Sequence, residues 1–101
     1  MHFGLSEQIV EDIISVFKDF PQITEVVMYG SRAKGNCKPG SDIDLTLKGE
    51  ALTLKDLNRV SIALEDLLLP YTFDISIYQH IDNPDLIEHI RRVGKVFYIL
   101  T

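Results

Sequence analysis

The sequence has 101 residues, of which 46% are apolar, and this length and composition predict a single domain over residues 1–101 with one packed core. A formal net charge of −5 excludes non-specific binding to nucleic acid or to an anionic membrane surface, since both need a basic face. The single cysteine, Cys37, excludes an internal disulfide. Because signal-peptide and membrane-spanning patterns are also lacking, we expect a cytoplasmic protein.

The first predicted elements are a helix and a strand. Apolar residues recur at helical spacing through residues 6–19, Ser6 can cap the first turn, and Pro21 stops the helix. Residues 24–29 are short and rich in β-forming side chains, so they predict a strand that ends at Gly30.

A turn and a second strand follow. Residues 31–35 allow one turn of helix, and residues 36–41, which include Pro39-Gly40, predict a loop. Residues 42–48 alternate between apolar and polar side chains, which indicates a half-buried strand.

The second half of the chain predicts a helix, a strand, a helix and an apolar tail. The first of these helices begins at a capping box, Thr53 to Asp56, and ends before Pro70. Its predicted inward-facing residues are Leu57, Val60, Leu64, Leu67 and Leu68. Residues 72–78 alternate as a strand, residues 83–93 carry an Asn-Pro-Asp helix start, and residues 96–100 form a short tail that fits an edge strand.

This order of elements predicts an α/β fold of the α+β type, with a small mixed β-sheet packed against helices. The helix between the second and third strands is a crossover connection, which usually joins parallel neighbours. The first two strands are joined by a loop and a short helix, so an antiparallel pairing is open to them.

Three aspartates fall on the polar faces of the predicted strands. Asp42 and Asp44 are two residues apart and therefore point to the same side, and Asp74 lies on the polar face of the next strand. If the strands are neighbours, these carboxylates repel one another unless a cation lies between them. Mg²⁺ prefers such oxygen ligands and shares them with phosphates, and two ions can serve a phosphoryl or nucleotidyl transfer.

The turn before these carboxylates has the residues of a phosphate site. Gly30 has no side chain to keep a phosphate from the backbone, and Ser31 offers a hydroxyl and an N–H at a helix start. A triphosphate between the turn and the acidic strand would meet donors on one side and metal ions on the other.

These residues resemble a known signature. Gly30-Ser31, ten residues and then Asp42-Ile43-Asp44 resemble the nucleotidyltransferase superfamily that includes DNA polymerase beta. The string GSRAKGNCKPGSDIDL, with FDIS later, is similar to its minimal nucleotidyltransferase (MNT) branch. The resemblance implies a nucleotidyltransferase fold, ATP as substrate and two Mg²⁺ ions, with Mn²⁺ as an alternative. It also implies that Gly30 and Ser31 bind the nucleotide and that Asp42, Asp44 and Asp74 are catalytic metal ligands.

Other polar residues near these motifs allow two interpretations. Arg32 and Lys34 can contact phosphates or can balance nearby acids, and we include Arg32 among the candidate nucleotide-binding residues. His89 lies beside Glu88 in a predicted helix, which favours exposure to solvent over catalysis.

The resemblance also implies a partner and an acceptor. Proteins of the MNT branch often pair with a helical HEPN-class ribonuclease toxin and act as its antitoxin by transferring AMP to one of its tyrosines. Two other functions remain open: a non-catalytic antitoxin that neutralises the toxin by binding, and an adenylyltransferase for a small molecule such as an aminoglycoside. Since the sequence lacks a domain that presents an acceptor, we expect either a partner protein or a homodimer to complete the site.

Overall fold

A computed structural model describes residues 3–38 and 40–101 of the chain, so that Pro39 of the predicted loop lies outside the described residues. The described part forms one four-stranded sheet with the order β3-β2-β1-β4, together with four helices and a 3₁₀ turn at Tyr78–His80. The elements in chain order are α1 (Glu7–Lys18), β1 (Glu25–Tyr29), α2 (Gly30–Lys34), β2 (Ile43–Lys48), α3 (Leu54–Glu65), β3 (Phe73–Ile77), α4 (Pro84–Val93) and β4 (Lys95–Ile99).

The sheet is mixed, as the sequence predicts. Strand β1 lies between β2 and β4 and is antiparallel to both, whereas β3 runs parallel to β2 after the crossover through α3. Strand β4 is the predicted tail strand and forms one edge of the sheet. The predicted fold class and the parallel pairing across the α3 crossover are therefore confirmed, and of the pairings left open for β1 and β2 the structure has the antiparallel one.

The two faces of the sheet are packed differently. One face is the main core, in which Ile43, Leu45 and Leu47 of β2 pack with buried residues of α1 and α3. The opposite face carries a smaller cluster of Val27 and Tyr29 with Ile90 of α4. The polar side chains of β2 and β3 therefore lie on the α4 side of the sheet.

The predicted helix starts are also present. The Ser6 hydroxyl accepts from the Ile9 N–H, and the Asn83 side chain accepts from the first turn of α4. At α3 the Thr53 hydroxyl and the Asp56 carboxylate each accept from the other residue's backbone N–H, and the bond from the Thr53 backbone holds the pKa of Asp56 below its ordinary value.

Helix α3 ends earlier than the sequence predicts. Its last residue is Glu65, after which the N–H groups of Leu67 and Leu68 donate to carbonyls three residues back. Leu68 then adopts a φ of 56°, in the left-handed region, and its side chain is 88% exposed. The prediction that Leu68 faces inward is therefore wrong, because α3 has already ended before that residue. Leu67 does pack against the core, as predicted.

Across residues 3–38 and 40–101, no helix is both long enough and apolar enough to cross a membrane.

Candidate active site

Two of the predicted aspartates lie in one row across the sheet. In the strand register Asp44 of β2 is opposite Tyr29 of β1 on one side and Asp74 of β3 on the other. Residues paired in this way project from the same face of a sheet. Asp42 precedes β2 by one residue and is exposed, as is Asp74, whereas Asp44 is half-buried.

The electrostatics of the row centre on Asp44. Burial raises the pKa of its carboxyl above the ordinary value, and the negative charges of Asp74 and Asp42 raise it further. His89 and Arg32 act in the opposite direction and lower that pKa. The two neighbouring aspartates are therefore near enough to repel Asp44, which is the condition that a bound cation would relieve.

The donor set suits a hard cation. Within the described ranges, no three His, Cys, Asp or Glu side chains are arranged so that they alone could hold a metal ion. Mg²⁺, however, is commonly bound by one or two carboxylates together with waters and substrate phosphates. Paired and mutually repelling carboxylates fit that mode of binding.

The turn from β1 into α2 is held close to Asp44. Gly30 has a φ of 75°, which a glycine adopts without strain, and a Cβ at this position would collide with the Asp44 carboxylate. Ser31 follows as the second residue of α2 and is partly exposed. The glycine thus allows the turn and the central carboxylate to pack directly against each other.

The environment of Arg32 differs from the one expected of a residue that binds the nucleotide. Its side chain is 3% exposed, its Nε and Nη2 donate to the Ser41 carbonyl at 3.1 and 2.7 Å, and its Nη1 donates to the Phe3 carbonyl at 2.9 Å. The guanidinium also lies 4.9 Å from the centre of the Tyr71 ring. We therefore revise the expected role of Arg32 from nucleotide contact to support of the backbone.

The Arg32 contacts hold the segment that leads into β2. Ser41 accepts from Arg32 through its carbonyl, and its hydroxyl accepts from the Lys38 N–H at 2.9 Å. Asp42 is the next residue along the chain. The buried Arg32 therefore links the turn at Gly30-Ser31 to the segment just before Asp42 and β2.

Tyr29 places a phenol beside the two paired carboxylates. It is 7% exposed, and burial raises the pKa of its hydroxyl, as do the charges of Asp74 and Asp44, while a hydrogen bond with Ser76 lowers it. The Ser76 hydroxyl in turn donates to the Thr46 hydroxyl at 3.0 Å. A tyrosine is already protonated at neutral pH at its ordinary pKa of 10.0, and the upward shift keeps the Tyr29 hydroxyl in that form, so that it can act as a donor.

His89 reaches the site from α4, contrary to the solvent-facing position expected. Its Nε2 accepts from the Gly30 N–H at 3.2 Å, and its ring lies edge-on to Tyr29 with centroids 6.1 Å apart. The two bonded residues are 59 positions apart in the sequence. The sequence around His89 does not predict this contact, because the contact depends on how α4 packs over β1.

The sequence profile of a family described as "Polymerase beta, Nucleotidyltransferase" matches residues 11–100. The chain belongs to this nucleotidyltransferase family. The predicted family is thereby confirmed, and the domain is that of a nucleotidyltransferase.

Several solved structures, among them the following three, are similar to this nucleotidyltransferase. A toxin–antitoxin structure with AMP-PNP has a TM-score of 0.73 at 19% identity, over 91% of this chain and 74% of that chain. A Shewanella oneidensis complex of a tri-AMPylated HEPN toxin with an MNT antitoxin has a TM-score of 0.70 at 16% identity, over 95% and 74%. A minimal nucleotidyltransferase has a TM-score of 0.69 at 29% identity, over 94% and 95%. No curated protein matches the sequence.

Proposed function

We propose that this nucleotidyltransferase is an antitoxin that transfers AMP from ATP to a tyrosine of a HEPN-type toxin. The observation that carries the proposal is the pairing of Asp44 and Asp74 beside the Gly30 turn. It places carboxylates that can bind a metal ion next to a turn that has the features of a phosphate-binding site. The likeness to toxin–antitoxin structures, one with AMP-PNP and one with an AMPylated HEPN toxin, supports the choice of nucleotide and partner.

In the proposed reaction the acceptor oxygen attacks the α-phosphorus of ATP. The bond from that phosphorus to the bridging oxygen breaks, pyrophosphate leaves, and the acceptor gains AMP. Gly30 and Ser31 bind the phosphates, and Asp74, the exposed member of the row, takes the proton from the acceptor hydroxyl. Mg²⁺ or Mn²⁺ held by Asp42, Asp44 and Asp74 together with waters and the triphosphate would neutralise charge on the triphosphate and on the attacking and leaving oxygens.

The exposure of the row favours an acceptor on a second molecule. Asp44 is half-buried against Gly30, whereas Asp74 lies on β3, which is the outer strand of the sheet. A docked partner would convert a two-body reaction into one with the acceptor hydroxyl held near the α-phosphate, and such positioning supplies much of a rate enhancement.

The proposed function can be tested with ATP labelled at different phosphates. The chain is incubated with a purified HEPN-type toxin and either α-labelled or γ-labelled ATP, with Mg²⁺ or with EDTA. We expect label on the toxin only from α-labelled ATP and only with Mg²⁺. Label from γ-labelled ATP would indicate phosphoryl transfer instead. Silencing of the toxin without any label would replace the enzyme with a binding-only antitoxin.

Replacement of Ser31 tests the proposed phosphate turn. Ser31→Ala removes one hydroxyl donor and leaves the backbone N–H, and a hydrogen bond to a charged group contributes about 1.5–3 kcal/mol. We expect kcat/KM for ATP to fall by roughly ten- to two-hundredfold. Ser61→Ala, on α3 at the other side of the sheet, is the control and should leave it unchanged. Unchanged kcat/KM in Ser31→Ala would show that this turn does not bind the phosphates.

A further inference from the structure

The first turn of α2 is not capped by the side chain of its own N-cap residue. The first N–H groups of a helix have no partner within the helix and need an acceptor from elsewhere. The residue at the N-cap position is Tyr29, and its side chain makes no capping hydrogen bond. The Gly30 N–H donates instead to the Nε2 of His89, so that a residue of α4 serves as the cap.

His89 is placed for this contact by the packing of α4. Its neighbour Ile90 is buried against Val27 and Tyr29, while Glu88 and Arg92 form an exposed ion pair on the outer side of the helix. The imidazole is half-buried and lies edge-on to Tyr29. The hydrogen bond requires a lone pair on Nε2, which accepts from the Gly30 N–H.

Gly30 is consequently held from two sides. The Asp44 carboxylate packs where a Cβ would be, and His89 fixes the N–H of the same residue. These two contacts fix the position of Gly30, and with it the start of the turn that carries Ser31, next to Asp44.

We propose that His89 is a positioning residue for nucleotidyl transfer, which orients the Gly30-Ser31 turn toward Asp44 by accepting the Gly30 N–H. This inference rests on the proposed function, in which that turn binds the phosphates. His89 acts through the turn and needs no contact with the nucleotide.

Three substitutions at position 89 separate the hydrogen bond from bulk. His89→Gln places an amide oxygen near the position of Nε2, His89→Asn places one nearer to Nδ1, and His89→Leu fills a similar volume without an acceptor. A typical hydrogen bond corresponds to a change of about two- to tenfold. We expect kcat/KM for ATP to fall by that factor in His89→Leu and His89→Asn, and to stay near the wild-type value in His89→Gln.

Arg92→Leu is the control, because it removes a side chain from the outer face of the same helix. Transfer by this variant should equal that of wild type. The amide resonance of Gly30, followed by NMR, should lose its protection from exchange in His89→Leu and keep it in His89→Gln. This second readout does not depend on catalysis.

The outcomes distinguish this inference from the proposed function. If the wild-type protein transfers no AMP, the proposed function fails, and the positioning role fails with it. If wild type is active and His89→Leu matches it, or if Gln and Leu reduce kcat/KM equally, the proposed function stands and the role of His89 is wrong. A lower melting temperature with unchanged kinetics would likewise make His89 a structural residue only.

Discussion

Asp44→Asn is expected to reduce AMP transfer by more than about a hundredfold and to leave the protein at least as stable as wild type in EDTA. The loss of transfer follows from the removal of a proposed metal ligand, since even the residues that only support such ligands change activity by about 10–100-fold. The stability follows from charge. Burial, Asp74 and Asp42 all raise the pKa of Asp44, so its ionised form is unfavourable in the fold.

The comparison needs a matched aspartate outside the site. Asp19 lies at the end of α1, which packs on the opposite face of the sheet, and Asp19→Asn should change neither transfer nor stability appreciably. Transfer is measured with the toxin and ATP, and stability by urea unfolding in EDTA. If Asp44→Asn destabilised the protein strongly, Asp44 would have to be regarded as part of the structural framework.

The difference in folding stability between wild type and Asp44→Asn should depend on pH, and the direction of that dependence follows from the pKa of Asp44. The folded-state pKa of Asp44 is raised above its ordinary value of 3.8. As pH falls through that raised pKa, folded Asp44 takes up a proton before the unfolded chain does, so wild type gains stability there. The stability advantage of Asp44→Asn in EDTA should therefore be greatest above the raised pKa and shrink below it. The lowered pKa of Asp56 affects both proteins alike and cancels in the difference.

Arg32→Met is expected to lower the free energy of unfolding by roughly 2–5 kcal/mol, because it leaves the carbonyls of Phe3 and Ser41 without their donors. That loss is a large share of the ~5–15 kcal/mol by which a domain is stable. Methionine keeps much of the volume of the arginine stem, so the change reports mainly on the lost hydrogen bonds.

Lys34→Met is the control for this substitution. Lys34 is on the same short helix and is exposed, so its replacement should change stability by less than about 0.5 kcal/mol. Both variants are compared by urea unfolding. A variant Arg32→Met that kept wild-type stability but lost nucleotide binding would restore the original expectation that Arg32 contacts the nucleotide.

The parts of the fold that follow from local chemistry could be predicted from the sequence. The capping box at Thr53 and the Asn83 cap are local, and both helices begin where those residues place them. Alternation along residues 42–48 and 72–78 identified the buried faces of β2 and β3, and with them the side on which Asp44 and Asp74 lie.

The parts that depend on packing between distant segments could not. Arg32 lies two residues before Lys34 on a short helix, and nothing nearby in the sequence shows that Phe3 and Ser41 will supply acceptors for it. His89 becomes a cap only because α4 lies over β1. Leu68 fits the helical spacing, but α3 ends three residues before it. The spacing therefore does not predict which way the Leu68 side chain faces.

The most direct test of the proposed reaction is the intact mass of the HEPN-type toxin after incubation with this nucleotidyltransferase, ATP and Mg²⁺. We expect the toxin to gain the mass of one or more AMP groups, located on tyrosine by fragmentation, and to gain none with Asp44→Asn or in EDTA. An unchanged toxin mass together with equal silencing of the toxin by wild type and Asp44→Asn would contradict the enzymatic account and leave an antitoxin that acts by binding.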